Sequence, residues 1–451
     1  MEKKRSSFSG SLGFVFAAAG SAVGLGNIWR FPYLAAQYGG GIFIFVYLIL
    51  AVTFGFALLS AEIAIGRKTK LSPVLAYKKL NNKFGFLGIL AIIVPIIICP
   101  YYCVIGGWVT KYVTVYAQGL VSQAAGDTYF SDFISNPWSP LIFFLIFMGI
   151  SVFVILLGVQ KGIETISKFL MPLLILLTIG ISIYALTLPN ALEGLAYYLV
   201  PDFSKFSIGT VAGALGQLFY SMSIAMGIMI TYGSYTKNEV NLTKSVNQIE
   251  IFDSAVALLA GLMIVPAVYV FSGEAGLSSQ GPGLMFMTLP KVFDKMLGGS
   301  IVGMLFFVLV FFAAITSAIS IMEAIVSSIM DKFHISRGWS CLIVIGICLA
   351  MGIPSSLGNG VWSDVKIFGM DILTFFDFLS NNILMPIVAL FTCILIGWVI
   401  KPKTITDEIT RNGETFKRKG LFNVMIKYVA PVCLVIILLS SILSQLGIIK
   451  L

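Results

Sequence analysis

The chain has 451 residues, of which 58% are hydrophobic and only 11% charged, against roughly 25% charged in an ordinary soluble domain. That balance excludes a string of soluble domains, a disordered chain, collagen and a disulfide scaffold, while a single histidine, His334, and six scattered cysteines argue against a His-rich or multi-Cys zinc centre. The net charge of +9 is not gathered on one amphipathic face, so nucleic acid is excluded as a partner and the chain reads as a polytopic membrane protein.

A helix that crosses a bilayer needs about 20 mostly apolar residues. Eleven such stretches follow one another, at 11–37, 41–66, 86–118, 140–158, 164–186, 209–235, 249–273, 299–330, 339–354, 371–400 and 423–447. The first is no cleavable signal, because its apolar run is too long and holds Gly20, Gly24, Gly26, Asn27 and Arg30. Alternate loops carry the basic residues. One set holds Lys3, Lys4, Arg5, Arg67, Lys68, Lys70, Lys78, Lys79, Lys83, Lys161 and Lys168. It continues with Lys237, Lys244, Lys332, Arg337, Lys401, Lys403, Arg411, Lys417, Arg418 and Lys419. The other set has only Lys205, Lys291, Lys295, Lys366 and Lys450. This asymmetry predicts a cytoplasmic N-terminus and, after eleven spans, an outside C-terminus. The rival reading of the basicity, a site for an acidic ligand, is the weaker one. All six cysteines (Cys99, Cys103, Cys341, Cys348, Cys393, Cys433) fall in or near spans and read as small apolar packing residues.

Two spans should not be straight. The first reads GSAVGLGNIWR from Gly20 to Arg30, and each of its glycines weakens a helix by about 1 kcal/mol relative to alanine. The sixth reads YSMSIAMG from Tyr220 to Gly227. Opened backbone at membrane depth is costly unless it lines a cavity or binds something. Freed carbonyls ligate a small hard cation, and N–H groups at a half-helix N-terminus hold a carboxylate. Each segment alone also fits close helix packing through small residues. Together they occupy matching places if spans one to five and six to ten form two inverted halves, which points to a central transport site. Charges within or at the edges of spans (Arg30, Glu62, Asp253 and Asp377) point the same way, since each costs about 2.5–3.5 kcal/mol at a helix centre unless paired or hydrated.

At these residues the sequence resembles the neurotransmitter:sodium symporter family, in its bacterial eleven-helix amino-acid branch. The stretches that carry the resemblance are GSAVGLGNIWRFPYLAAQYGGGIF from Gly20, Ala61-Glu62 to Gly66-Arg67, YYCVIGGW from Tyr101, GQLFYSMSIAMG from Gly216, TYGSY from Thr231 and FAAITSAISIM from Phe312. The resemblance implies an all-α membrane protein of two inverted five-helix repeats, 1–190 and 191–400, with helices 1 and 6 broken at mid-membrane. Residues 401–451 would add a basic cytoplasmic loop and helix 11.

It further implies two Na⁺ sites. The first would use Ala22, Asn27, Ser221 and Asp253, and the second Gly20, Val23, Ala313, Thr316 and Ser317. Ala313, Thr316 and Ser317 share one helix face, although a Thr-Ser pair otherwise just bonds its own preceding carbonyls. Substrate would lie among Ser21, Ala22, Leu25, Gly26, Ile98, Tyr102, Tyr220, Ser221, Ser223, Ala225, Met226, Ser317, Ser320 and Ile321. Because that lining carries no charged side chain, the implied cargo is a neutral apolar L-amino acid.

Arg30 would pair with Asp377 as an outer gate, roughly 8 Å beyond the break, with Tyr102 and Tyr220 as a lid. Arg5 would pair with Asp331 near Ser234 and Tyr235 as an inner gate. Three departures from the family pattern carry expectations. Asp253 stands for the usual asparagine and implies no chloride requirement. Ala225 stands for a glycine and should shrink the substrate pocket. Phe8 stands for a tryptophan and should loosen inner closure. The implied function is Na⁺-coupled uptake across the plasma membrane by alternating access. The alternatives are a transporter of small neutral amino acids such as alanine or glycine, a non-transporting sensor, or a channel. An intramembrane enzyme is the weakest alternative, because the only histidine, His334, falls in a cytoplasmic loop and no two cysteines have zinc spacing with further ligands nearby.

Overall fold

A computed structural model describes residues 6–277 and 282–445. Among these residues the chain is built of helices, and only two isolated β-bridges occur, Gly40 to Pro201 and Ile367 to Met370. Physical necessity lies behind this, because lipid offers no partner to a backbone N–H or C=O and a helix satisfies both within one segment.

Nine continuous helices among the described residues are long and apolar enough to cross a membrane: Gly41–Thr69, Asn82–Ala117, Ser139–Leu156, Val159–Leu186, Leu242–Gly273, Gly299–Phe333, Arg337–Leu357, Ile372–Val399 and Lys419–Gln445. The pair Ser11–Ala22 and Gly26–Gln37, bent by 48°, makes the first span. Ile208–Ser221 and Ile228–Tyr235 make the sixth. Ten of the eleven expected spans are therefore met in order by length and composition, with the two shorter helices in the place of the sixth, and several run further than expected. The seventh begins at Leu242 instead of 249 because its first turns carry Thr243, Lys244 and Asn247. Those turns keep their helical hydrogen bonds in water, where an apolar window reads nothing. Asn241 starts that helix by accepting the Lys244 N–H at 2.8 Å.

Both expected interruptions are real. Val23 leaves the helix with φ −77° and ψ 96°, and the chain re-enters through a wider π turn over Gly26–Arg30. In the sixth span Ser223, Ala225 and Gly227 have φ of 52°, 63° and 70°. Left-handed residues at alternate positions cannot continue a right-handed helix, and each non-glycine costs roughly 1–2 kcal/mol there.

The third span lies at the centre of the bundle and the eleventh at its rim: 72% of the most apolar stretch of the third is buried, against 22% of the eleventh's. Phe153, Phe169, Leu176, Leu342 and Leu439 are exposed on rim spans, where lipid covers them. Ion pairs lock one end of the bundle. Arg67, fully buried, donates to Glu408 Oε1 at 2.7 Å and to the Val240 carbonyl at 2.6 Å, which ties the second span to the short helix Pro402–Ile409. Arg418 pairs with Glu250 at 2.8 Å.

Candidate functional site

The two interruptions meet each other at mid-bundle. Ser223 Oγ donates to the Ser21 carbonyl at 3.0 Å, and the Ser21 and Ser223 hydroxyls lie 3.1 Å apart. Backbone groups released by the breaks are taken up by side chains. Gly24 N–H donates to Asn27 Oδ1 at 3.2 Å, Leu25 N–H to the Tyr102 hydroxyl at 3.4 Å, and Ala225 N–H to Glu62 Oε1 at 2.7 Å. Gln217 Nε2 donates to the Gly26 carbonyl at 2.9 Å. Each of these would otherwise be a buried orphan costing about 1–3 kcal/mol.

A narrow cavity of about 20 Å³ lies between the breaks, lined by Ser21, Ala22, Gly24, Leu25, Gly26, Ile98, Tyr102, Tyr220, Ser223, Met226, Ser317 and Ile321. That is room for about one water molecule, so an amino acid would need the lining side chains to move apart. Eleven of the fourteen expected substrate residues line it. Ser221, Ala225 and Ser320 do not, and each has a physical reason. Ser221 Oγ donates to Asp253 Oδ1 at 2.6 Å, Ser320 Oγ donates to the Thr316 carbonyl at 2.8 Å, and Ala225 sits in a left-handed turn with its N–H on Glu62. Ala225, expected to shrink the pocket, is not among the residues that line this cavity. Gly24 is the lining residue that the sequence reading left out. A Cβ there would stand 2.4 Å from Ser317 Oγ, so only glycine lets the first and eighth spans approach.

Beside the cavity lies Asp253, fully buried. Its Oδ1 accepts from Asn27 Nδ2 at 2.8 Å and from Ser221, and its Oδ2 accepts from the Tyr47 hydroxyl at 3.1 Å. Among the described residues no basic side chain pairs with it within 4.0 Å. Asn27 and Ser221 were expected here, whereas Tyr47 was not, since one tyrosine in an apolar span carries no signal. Ala22 lines the cavity.

The other expected ion set lies between the first and eighth spans. Ser317 Oγ faces the Ser21 carbonyl at 3.0 Å and the Gly20 carbonyl at 3.5 Å. Thr316 Oγ1 donates to the Phe312 and Ala313 carbonyls at 3.0 and 3.1 Å. The ordinary helical back-bond thus holds for Thr316, while Ser317 reaches across. Val23 is the extended residue at the break.

Arg30 and Asp377 do not form a direct ion pair. Arg30 Nη1 donates to the Gly216 carbonyl at 3.2 Å and its guanidinium stands 5.4 Å from the Tyr220 ring centroid. Asp377 Oδ1 accepts from Asn381 at 2.7 Å. At the opposite end Arg5 lies outside the described residues. Asp331 Oδ2 accepts the Ser72 N–H at 2.7 Å. Tyr235 accepts the Phe8 N–H on its carbonyl at 3.0 Å and donates its hydroxyl to Glu323 Oε1 at 2.7 Å. Glu323 is fully buried and pairs with Arg337, a pairing that the sequence reading did not foresee. Phe8 is 1% exposed, with its ring 5.5 Å from that of Tyr232 and 6.1 Å from that of Tyr235, so phenylalanine fills this end closely.

The profile of the Sodium:neurotransmitter symporter family matches residues 5–139 and 132–448. An uncharacterised sodium-dependent transporter of Bacillus subtilis, YhdH, is 35% identical, covering 98% of each chain. A similarly named protein of Haemophilus influenzae is 33% identical, over 97% of this chain and 98% of that one. The rat sodium- and chloride-dependent taurine transporter is 26% identical, over 90% of this chain and 73% of its own. Among solved structures, MhsT in complex with L-phenylalanine superposes with a TM-score of 0.89 at 36% identity, covering 97% of this chain and all of that one.

Proposed function

The chain belongs to the sodium:neurotransmitter symporter family, and we propose that within it the protein couples the inward movement of Na⁺ to uptake of a neutral apolar L-amino acid, without need of chloride. It is a multi-pass membrane protein and a sodium-dependent transporter; its substrate, stoichiometry and orientation are the proposed parts. The observation that carries the reading is the buried carboxylate of Asp253, which has donors on both oxygens and no basic partner, held by Asn27 and Ser221, the chain neighbours of the lining residues Gly26 and Tyr220. A buried charge without a counter-ion is strongly disfavoured. A sodium ion held with Asn27, Ser221 and the Ala22 carbonyl supplies that counter-ion. Because the protein brings its own anion, no chloride is required.

A second sodium ion would be held by Gly20, Val23, Ala313, Thr316 and Ser317, bridging the first and eighth spans. The substrate carboxylate would bind at Leu25, Gly26 and the Tyr102 hydroxyl and complete the first ion's shell, so that each ligand raises the other's affinity. Its side chain would enter among Ile98, Met226 and Ile321, where a charge would be desolvated without a partner. L-phenylalanine in the similar structure of MhsT supports that class. Outer closure would use Arg30 and Asp377 over Tyr220, and inner closure Arg5, Asp331 and Tyr235 around Phe8. Residues 1–190 and 191–400 would form the two repeats that rock against each other, followed by the basic loop and helix of 401–451. The N-terminus would lie in the cytoplasm and the C-terminus outside.

Reconstituted protein should take up labelled L-leucine or L-phenylalanine saturably under an inward sodium gradient, unchanged when gluconate replaces chloride. Uptake indifferent to sodium, or an ohmic current without uptake, overturns the proposal.

A further inference from the structure

Read along the chain, the cysteines are scattered. In the structure three of them converge. Cys99 and Cys103 lie one helical turn apart on the third span, and Cys348 comes from the ninth. All three are buried, with the Cys99 and Cys348 sulfurs 3.5 Å apart and all three sulfurs within 4.8 Å of one another. No role in the transport reading uses them.

We propose that these three thiols form a binding site for a single thiophilic d¹⁰ monovalent cation of the Cu(I) class. Three arguments converge on it. The first is geometric. A metal at the centre of three sulfurs with metal–sulfur bonds of about 2.3 Å needs sulfur–sulfur distances of about 4.0 Å, and the observed sulfurs, one pair 3.5 Å apart and every pair within 4.8 Å, lie near that value. Coordination therefore needs only rotation of thiol side chains between helices already packed together. The second is ligand type. Sulfur ligands select soft metals, and no fourth His, Cys, Asp or Glu among the described residues joins the group. Three-coordination suits Cu(I) and leaves a tetrahedral Zn²⁺ unsatisfied. The third is charge. The surroundings are the membrane interior, where a net charge is disfavoured. The reaction Cu⁺ + 3 R–SH → [Cu(S–R)(HS–R)₂] + H⁺ leaves a neutral complex, with one thiol giving up its proton and no electron transferred. A divalent ion needs two deprotonated thiols to reach neutrality.

The site lies behind the substrate wall, since Cys99 and Cys103 are the chain neighbours of the lining residues Ile98 and Tyr102. Occupancy would tie the third span to the ninth at that depth.

The test is direct and independent of transport. Thiol-reduced protein in detergent is titrated anaerobically with Cu(I) against a chelating chromophore, and a second batch is isolated from copper-supplemented cells so that metal can also enter during folding. The expectation is one copper per chain in at least one preparation, with X-ray absorption giving three sulfurs at about 2.3 Å. The variants C103A and C348A should each lose about tenfold or more in affinity. Fold is checked by size-exclusion elution and by the melting temperature without added metal, which these variants should retain. Copper absent from both preparations, or bound equally by the triple variant C99A/C103A/C348A, overturns the proposal. Neither result bears on sodium-coupled uptake, so the two readings fail separately.

Discussion

Asp253→Asn removes one charge while keeping the side chain's shape. Asn27 and Ser221 both donate to Oδ1, at 2.8 and 2.6 Å, and Tyr47 donates to Oδ2 at 3.1 Å. An amide oxygen in the Oδ1 position still accepts the first two bonds. An NH₂ in the Oδ2 position donates to the Tyr47 oxygen once that hydroxyl rotates. The network therefore survives, melting without sodium should change little, and the loss falls on the bound cation. A pair of unit charges about 4 Å apart at an effective dielectric of about 20 is worth about 4 kcal/mol. At about 1.4 kcal/mol per factor of ten, sodium half-saturation should rise by at least about tenfold and up to about a thousandfold. The assay is the ligand-induced melting shift against sodium concentration, measured in gluconate and in chloride, with uptake into proteoliposomes as the second readout. Chloride should recover part of the loss in the variant and do nothing for the parent. A sodium response within about twofold of the parent's in gluconate would refute the claim that this carboxylate serves the ion.

Gly24→Ala places a methyl 2.4 Å from Ser317 Oγ and 3.1 Å from the Tyr102 hydroxyl. Overpacking of about 1–3 kcal/mol should lower amino-acid affinity about tenfold or more in equilibrium binding, and unchanged affinity would show that the first and eighth spans do not close as described. Tyr102→Phe removes the hydroxyl that meets Leu25 N–H. At about 0.5–1.5 kcal/mol it should weaken binding several-fold for an amino acid but not for its carboxamide, and an equal loss for both would remove Tyr102 from carboxylate recognition. Glu408→Ala leaves the fully buried Arg67 without its ionic partner, with only carbonyl acceptors remaining. A cost of about 3–5 kcal/mol should lower the melting temperature in detergent while leaving the sodium dependence of the surviving protein intact.

The apolar runs, the eleven spans and the two interruptions were legible along the chain. So were the lining residues Ser21, Leu25, Tyr102 and Met226, through motif resemblance. Less legible were residues whose partners come from distant spans. Tyr47 looks like one more aromatic in an apolar helix until Asp253 stands beside it, and Glu62 shows its use only when the Ala225 N–H turns toward it. Arg337 counts as a basic loop residue until Glu323 is found buried at its side. Ala225, expected in the lining by its place in the motif, is absent from it, while Ser223 two residues before is present.

Local quantities decided what could be read. Apolar length and glycine content add along the chain, and a bilayer turns them directly into helices and breaks, because each backbone group must be satisfied within its own segment. Which side chains meet is a different quantity. It depends on the rotation of each helix about its axis and on contacts between residues hundreds of positions apart, such as Ser21 with Ser223 or Cys99 with Cys348. Many weak packing contacts set those rotations jointly, so only the tertiary structure decided them.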